Sequence, residues 1–206
     1  VLGSGILLDS AMAAWRAIEP ALELRQVALD PQAGPEALAA ALDALDLAGV
    51  TAFVAFDARF LNFRRLEIVD ALRARGVAMP PLLDRAALVS DVVKEAAAPG
   101  SNSWIGQGAI VQHGARIGAN VHIGAGAIIG AGAVIGDSAW IDDGVVIGRE
   151  AQIGAHATLG LGTIVAHGIG IGAMCVIDKP GRIEADIAAR TFIHASHDRP
   201  MVVSGA

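Results

Sequence analysis

The chain has 206 residues, with 15 lysines and arginines against 21 aspartates and glutamates, a formal net charge of −6. That length allows one large domain or two modest ones with ample core, and the acidic balance excludes a basic nucleic-acid-binding face. Cys175 is the sole cysteine, which excludes an intrachain disulfide and points to a reducing, cytoplasmic setting. Its place among small residues assigns it to packing. No basic start followed by an apolar core is present, so no signal peptide is expected.

Residues 1–83 alternate short β-prone runs with helical ones. Val1-Leu2 is the stub of a strand, Gly3-Ser4-Gly5 a turn, and residues 10–18 a helix stopped by Pro20. A second strand is expected at 24–29, then a helix at 35–47 with Pro35 in its first turn. A buried strand at 51–56 follows, then a helix at 63–75 closed by Gly76 and a short strand at 77–83 interrupted by Pro80-Pro81. Such alternation implies an α/β domain over 1–83 built on a small parallel sheet of the Rossmann type. Gly3-Ser4-Gly5 at a strand end also invites a dinucleotide reading with Asp30 as the ribose acid. Leu8, however, stands where that fingerprint requires its third glycine, so the stretch is read as a turn or as a loop for another nucleotide.

From 84 to 103 no spacing is established; Ala87-Leu88-Val89 reads as a first irregular coil and residues 96–101 as a surface excursion. From 105 to 183 an aliphatic side chain returns at every sixth position: Ile105, Val111, Ile117, Ile123, Ile129, Ile135, Ile141, Ile147, Ile153, Leu159, Val165, Ile171, Ile177 and Ile183. Glycine follows most of them, and a small residue such as Ala109, Ala127 or Cys175 stands two positions ahead. A period of six matches neither an amphipathic helix nor an alternating strand, so the repeat itself is the structural unit. One hexapeptide cannot bury its large side chain alone, whereas stacked coils line those side chains up in one interior column. The pattern fits a parallel β-helix with three hexapeptides per triangular coil and coils about 4.8 Å apart. Small residues then fill the inner corners, and glycine or other turn-tolerant residues make the bends.

Residues 117–136 carry no charge, yet Asn120, His122 and the glycines there keep the hexapeptide phase, so no membrane insertion is expected. Residues 187–206 lose the phase and read as a closing strand or tail over the open end, with His194 and His197 at the surface. The repeat resembles the left-handed β-helix acyltransferase superfamily, and the resemblance supplies the expected hand for an all-β domain over 84–206.

Four histidines fall in the repeat: His113, His122, His156 and His167. His113 and His167 share a rib three coils apart, roughly 14 Å, too far to share a metal. The other intervals lack the close pair used by hexapeptide carbonic anhydrases, so no metal site is expected. His113 and His122 are half a circuit apart and leave opposite sides of the prism. They meet only where neighbouring copies bring the two sides together, as a cyclic trimer does. Trp104 and Trp140 lie one coil either side of His122, giving an exposed Trp-His-Trp stripe expected to be covered by a subunit interface.

The order of domains, and the segment Val111-Gln112-His113-Gly114-Ala115-Arg116-Ile117-Gly118-Ala119-Asn120-Val121-His122-Ile123, resemble the sugar-nucleotide acetyltransferases of the sialic-acid and bacillosamine pathways. The resemblance implies a homotrimeric, acetyl-CoA-dependent acetyltransferase acting on a nucleotide-linked amino sugar for bacterial surface glycans. It implies His113 as general base, His122 as an acetyl-CoA contact from a neighbouring subunit, and Asp143 and Leu161, on one rib, as further acetyl-CoA contacts. Gly3, Ser4 and Gly5 take the place of that family's nucleotide-sugar loop. Gly114 replaces the acidic residue that follows the base, and Asp84-Arg85 replaces a His-Pro pair at the β-helix entrance. Acyl transfer from a thioester suits a base in the imidazole range, with turn N–H groups to stabilise the oxyanion. The altered positions leave a second expectation, a β-helix protein that binds a sugar nucleotide or partner enzyme without catalysis.

Overall fold

The computed structural model describes residues 1–90, 102–197 and 199–203; the excursion expected at 96–101 lies outside the described residues. Three short strands, β1 (Leu2–Gly3), β2 (Val27–Ala28) and β3 (Val54–Ala55), form a parallel sheet in the order β2-β1-β3. A single bridge from Thr51 to Ala78 extends it. Helices α1 (Gly5–Ile18), α2 (Pro35–Asp43) and α3 (Phe63–Ala74) complete the N-terminal unit. On one face of the sheet Leu38, Leu42, Ile68, Val69 and Leu72 pack against Leu2, Val54 and Phe56. On the other, Ala11, Phe53 and Ala55 share a cluster with Leu82 and Trp104, so this face is closed by the next part of the chain.

Two local departures from the sequence reading have physical causes. Helix α1 starts at Gly5 rather than at residue 10, because Leu8, Ala11 and Met12 already form one buried helical face. Leu8 thereby turns the position of the missing fingerprint glycine into a packing site, whereas Gly3 is tightly constrained: a Cβ there would lie 2.2 Å from the Ala55 carbonyl oxygen. The strand expected at 77–83 divides at Pro80-Pro81, which lack N–H donors. Ala78 bridges to the N-terminal sheet, while Leu82–Leu83 pair with Trp104–Ile105 as the first coil of the β-helix.

From Leu82 the chain winds a left-handed-type β-solenoid of about six turns. Among the described residues its three faces hold eight, six and four strands. The first carries Trp104–Ile105, His122–Ile123 and Trp140–Ile141; the second Ile110–Val111, Ile128–Ile129 and Val146–Ile147; the third Arg116–Ile117, Val134–Ile135 and Gln152–Ile153. Strand partners such as Ile110, Ile128 and Val146 stack in direct register, and the in-phase aliphatics from Ile105 to Ile177 form the interior cluster. Cys175 is buried in it, its Sγ 3.0 Å from the Ala188 carbonyl oxygen. Thr191–His194 extends the first face and Met201–Val202 adds an antiparallel edge. Among the described residues no helix is long and apolar enough to cross a membrane.

The bends fall, as expected, on glycine and other turn-tolerant residues, and these are a different set from the glycines that follow the aliphatics. Every sixth residue from Asn102 to Met174 has a left-handed backbone, with φ between +50° and +79°, and this second series of positions turns each corner. The first series serves stacking instead: a Cβ on Gly130, Gly136 or Gly148 would meet a backbone nitrogen of the next coil at 2.6 Å.

Candidate active site

The left-handed corner between the third and first faces carries Asn102, Asn120, Ser138 and His156, where the corner between the first and second keeps Gly108, Gly126, Gly144 and Gly162. These side chains dock the N-terminal unit. The Asn102 amide accepts from Val54 N–H at 2.7 Å and donates to the Val54 carbonyl at 3.1 Å, mimicking one more strand beside β3. It also donates to Asn120 Oδ1 at 3.0 Å, and Asn120 donates in turn to Ser138 Oγ at 3.0 Å. Arg65 of α3 enters this ladder, donating from Nε to Asn120 Oδ1 at 3.0 Å and from Nη2 to the Asn120 carbonyl at 2.7 Å. Farther along, His156 Nδ1 lies 2.9 Å from the Leu61 carbonyl and its ring stacks on Phe63. The sequence signal for this joint was available, as polar residues one full coil apart at a corner that elsewhere prefers glycine; its partner Arg65 had none.

His122 projects from the first face into the same joint. Its ring stacks on Trp140, centroids 3.8 Å apart and planes 13° apart, and meets Trp104 edge-on at 5.2 Å. Trp104 in turn touches Phe53, and Phe53 touches Trp15. The expectation of an exposed Trp-His-Trp stripe awaiting a neighbouring subunit is therefore corrected: the chain's own N-terminal unit covers it, and Trp140 is 9% exposed. Burial, reinforced by the nearby Arg65 charge, pulls the His122 pKa from 6.5 to about 3. The ring stays neutral at physiological pH. Neither of its nitrogens has a hydrogen-bond partner among the described residues, and the residue as a whole is half-buried. It is thus equipped to hydrogen-bond a ligand, not to accept its proton. Burial also lowers Arg65 to about 9, opposed by Asp57, and leaves the guanidinium charged.

His113 lies at the corner between the second and third faces, the corner opposite the first face. Its side chain is exposed, and neither the ring nor its main-chain N–H has a partner among the described residues. Gly114 beside it has φ +72°, and two coils along the same corner Glu150 takes φ +60°, so the backbone there does not itself exclude a carboxylate. Asp143 and Leu161 lie on the corner between the first and second faces; Asp143 Oδ1 accepts from Ala125 N–H at 2.7 Å, and Leu161 is 64% exposed. Between these two corners the second face turns Leu88, Ile110, Ile128, Val146 and Ile164 outward in register. One apolar face is thus bordered by His113 on one edge and by Asp143 and Leu161 on the other, with His122 on a different face. Gly3, Ser4 and Gly5 sit where β1 meets the N-terminus of α1, Ser4 in the capping position without a side-chain capping bond. That is the C-terminal edge of the parallel sheet, where open α/β sheets take their ligands and helix N–H groups favour anions.

A family profile described as Bacterial transferase hexapeptide (six repeats) matches residues 100–131, the stretch that carries Asn102, His113, Asn120 and His122. No curated protein matches the chain. Among solved structures it is similar to a variant of perosamine N-acetyltransferase from Caulobacter crescentus in complex with CoA and GDP-perosamine, at 21% identity and a TM-score of 0.55, over 97% of this chain and 95% of that one. A second variant of that enzyme, with the same ligands, gives 20% identity and a TM-score of 0.59 at the same coverage. PerB from Caulobacter crescentus, again with CoA and GDP-perosamine, gives 22% identity and a TM-score of 0.53 over 93% and 91% of the two chains. At these identities the likeness is one of fold, and it extends across both the N-terminal unit and the β-helix.

Proposed function

We propose that this protein is an acetyl-CoA-dependent acetyltransferase whose acceptor is a nucleotide-linked amino sugar, acting in the cytoplasm in the assembly of bacterial surface glycans. The observation that carries the reading is the shared fold over 97% of the chain with an enzyme bound to CoA and GDP-perosamine. Residues 1–83 form, in this reading, a Rossmann-like nucleotide-sugar domain with Gly3, Ser4 and Gly5 at the pyrophosphate, and residues 84–206 the acyl-CoA-binding β-helix. His113 is the general base. The acceptor amine attacks the thioester carbonyl as the imidazole removes its proton, the C–S bond breaks, and the imidazolium returns a proton to the departing CoA thiolate. Such a base contributes about 10² to 10⁴ in rate.

The apolar second face supports a cyclic homotrimer, because an exposed aliphatic stripe of this kind is stabilised by burial against a neighbouring copy of the chain. A copy seated there borders His113, Asp143 and Leu161 together. His122, neutral and with both ring nitrogens unengaged among the described residues, serves as a hydrogen-bonding contact for acetyl-CoA held by a neighbouring copy. The test is release of CoA thiol from acetyl-CoA in the presence of GDP-, UDP- and dTDP-linked amino sugars, with the acetylated sugar identified by mass. One observation favours a second reading: Gly114 leaves His113 without an adjacent carboxylate. Binding of CoA and a sugar nucleotide with no thiol release for any acceptor is the outcome that selects this binding-only protein.

A further inference from the structure

Beyond the end of β2, a groove of about 710 Å³ opens between the loop of Pro31–Pro35 and the first turns of α3. Its volume falls in the range of small-molecule sites, and none of the residues assigned above lines it. Phe63 presents a ring that is 42% exposed; one face is taken by His156, 4.2 Å away and nearly parallel, so the outer face is the one open to a ligand. Arg64 is the only cation on the groove wall among the described residues and is already committed. Its side chain is 7% exposed, Nη1 lies 2.6 Å from Glu67 Oε2, and Nη2 donates to the Asp30 carbonyl at 3.3 Å. Its Nε is buried without a partner among the described residues. This buried cation anchors the Glu67 carboxylate, 39% exposed, with its second oxygen unengaged among the described residues.

The chemistry of the wall selects the kind of ligand. With Glu67 and Asp70 on it and its one guanidinium occupied, the groove repels phosphate. A flat ring can stack on Phe63, and an anchored carboxylate favours an edge with two adjacent N–H donors, to which it makes charge-assisted bonds. Guanine offers that edge in N1–H and the 2-amino group. Uracil and thymine offer one N–H flanked by two carbonyl oxygens, which a carboxylate repels; adenine and cytosine place a ring acceptor beside their amino group. The position also agrees with the general rule that a parallel sheet holds its nucleotide past the ends of its strands, with the acid after the second strand, here Asp30, close to the ribose.

We infer that the groove is a guanine subsite, with Phe63 as stacking platform and Glu67 as the residue that sets base specificity, so that the nucleotide-linked acceptor is a GDP-sugar. The inference rests on the proposed sugar-nucleotide function and narrows its substrate. Calorimetric titration of the full chain with GDP, IDP and UDP, in the absence of acetyl-CoA, tests it. GDP is expected to bind at least about 10-fold more tightly than UDP, and IDP, which lacks the 2-amino group, about 10-fold more weakly than GDP. Glu67→Gln is expected to weaken GDP by about 10- to 100-fold and leave UDP unchanged, with its melting temperature recorded to check the fold. The IDP comparison uses unaltered protein and stands even if that variant is unstable. Equal or tighter binding of UDP, IDP indistinguishable from GDP, or no binding of any of the three overturns the inference. Because no transfer is measured, a lost guanine preference leaves acetyl transfer standing, and a GDP preference without transfer sinks only the enzymatic reading.

Discussion

Arg65 and Asn120 are joined by two hydrogen bonds across the joint between α3 and the β-helix, one to the amide oxygen and one to the main-chain carbonyl. Arg65 also lies 5.3 Å from the centroid of the Trp140 ring that stacks on His122. One side chain therefore couples the docking of the N-terminal unit to the surroundings of a candidate ligand contact.

Removing that side chain takes the donor from the buried Asn120 carbonyl and leaves Asn120 Oδ1 with Asn102 alone. Arg65→Met is expected to destabilise the protein by about 2 to 4 kcal/mol in equilibrium urea unfolding. Arg65→Lys should recover less than half of the loss, since an ammonium cannot make the forked pair. A change below about 0.5 kcal/mol for Arg65→Met would show that the joint is held by other contacts.

The buried imidazole makes a pH prediction. With a folded pKa of about 3 against 6.5, His122 binds its proton more readily in the unfolded chain. Its contribution to stability is therefore fully present above pH 6.5 and is lost as the pH falls from 6.5 toward 3. NMR titration of the imidazoles should show no ionisation of His122 above about pH 4 in the native protein, and only a partial upward shift in Arg65→Met, since burial is the larger cause and the Arg65 charge the smaller. A native His122 titrating near 6.5 contradicts the environment described.

The two glycine series separate by substitution. Gly124→Ala places a methyl group 2.5 Å from the Asp143 backbone nitrogen, and should cost about 3 kcal/mol or more. Gly126→Ala has open space and meets only the penalty of φ +65°, about 1 to 2 kcal/mol. Similar melting temperatures for the two variants would contradict the division of labour between stacking and bending.

The aliphatic second face predicts how copies associate. Ile128→Asp puts a charge in its centre without touching the interior column, and should convert the proposed trimer to monomers in sedimentation while leaving the circular dichroism spectrum unchanged. An unaltered sedimentation coefficient assigns the interface elsewhere.

The interior of the β-helix was legible because one residue type serves one purpose: Ile123, Ile129 and Ile141 are wholly buried and nothing else recurs in their phase. The bends were legible as positions for glycine or another turn-tolerant residue, but which glycines make them was not, because glycine serves both series, at Gly124 for close approach and at Gly126 for a left-handed turn, and a sequence shows no φ. The rib of Trp104, His122 and Trp140 was legible as outward-facing, but its cover was not, since Phe53 and Arg65 reach it from an element far upstream. His113 was placed at a corner by counting alone, and Leu88, Ile110, Ile128, Val146 and Ile164 went unremarked because their phase is one residue ahead of the buried column.

His113 is the proposed base of the acetyl transfer. The most direct measurement is kcat/KM for CoA release with acetyl-CoA and the preferred nucleotide-linked amino sugar, in the native protein and in His113→Gln. Since the His113 side chain is exposed and has no partner among the described residues, its replacement should leave the melting temperature unchanged while kcat/KM falls by about 10² to 10⁴. An equally active His113→Gln protein would contradict that role.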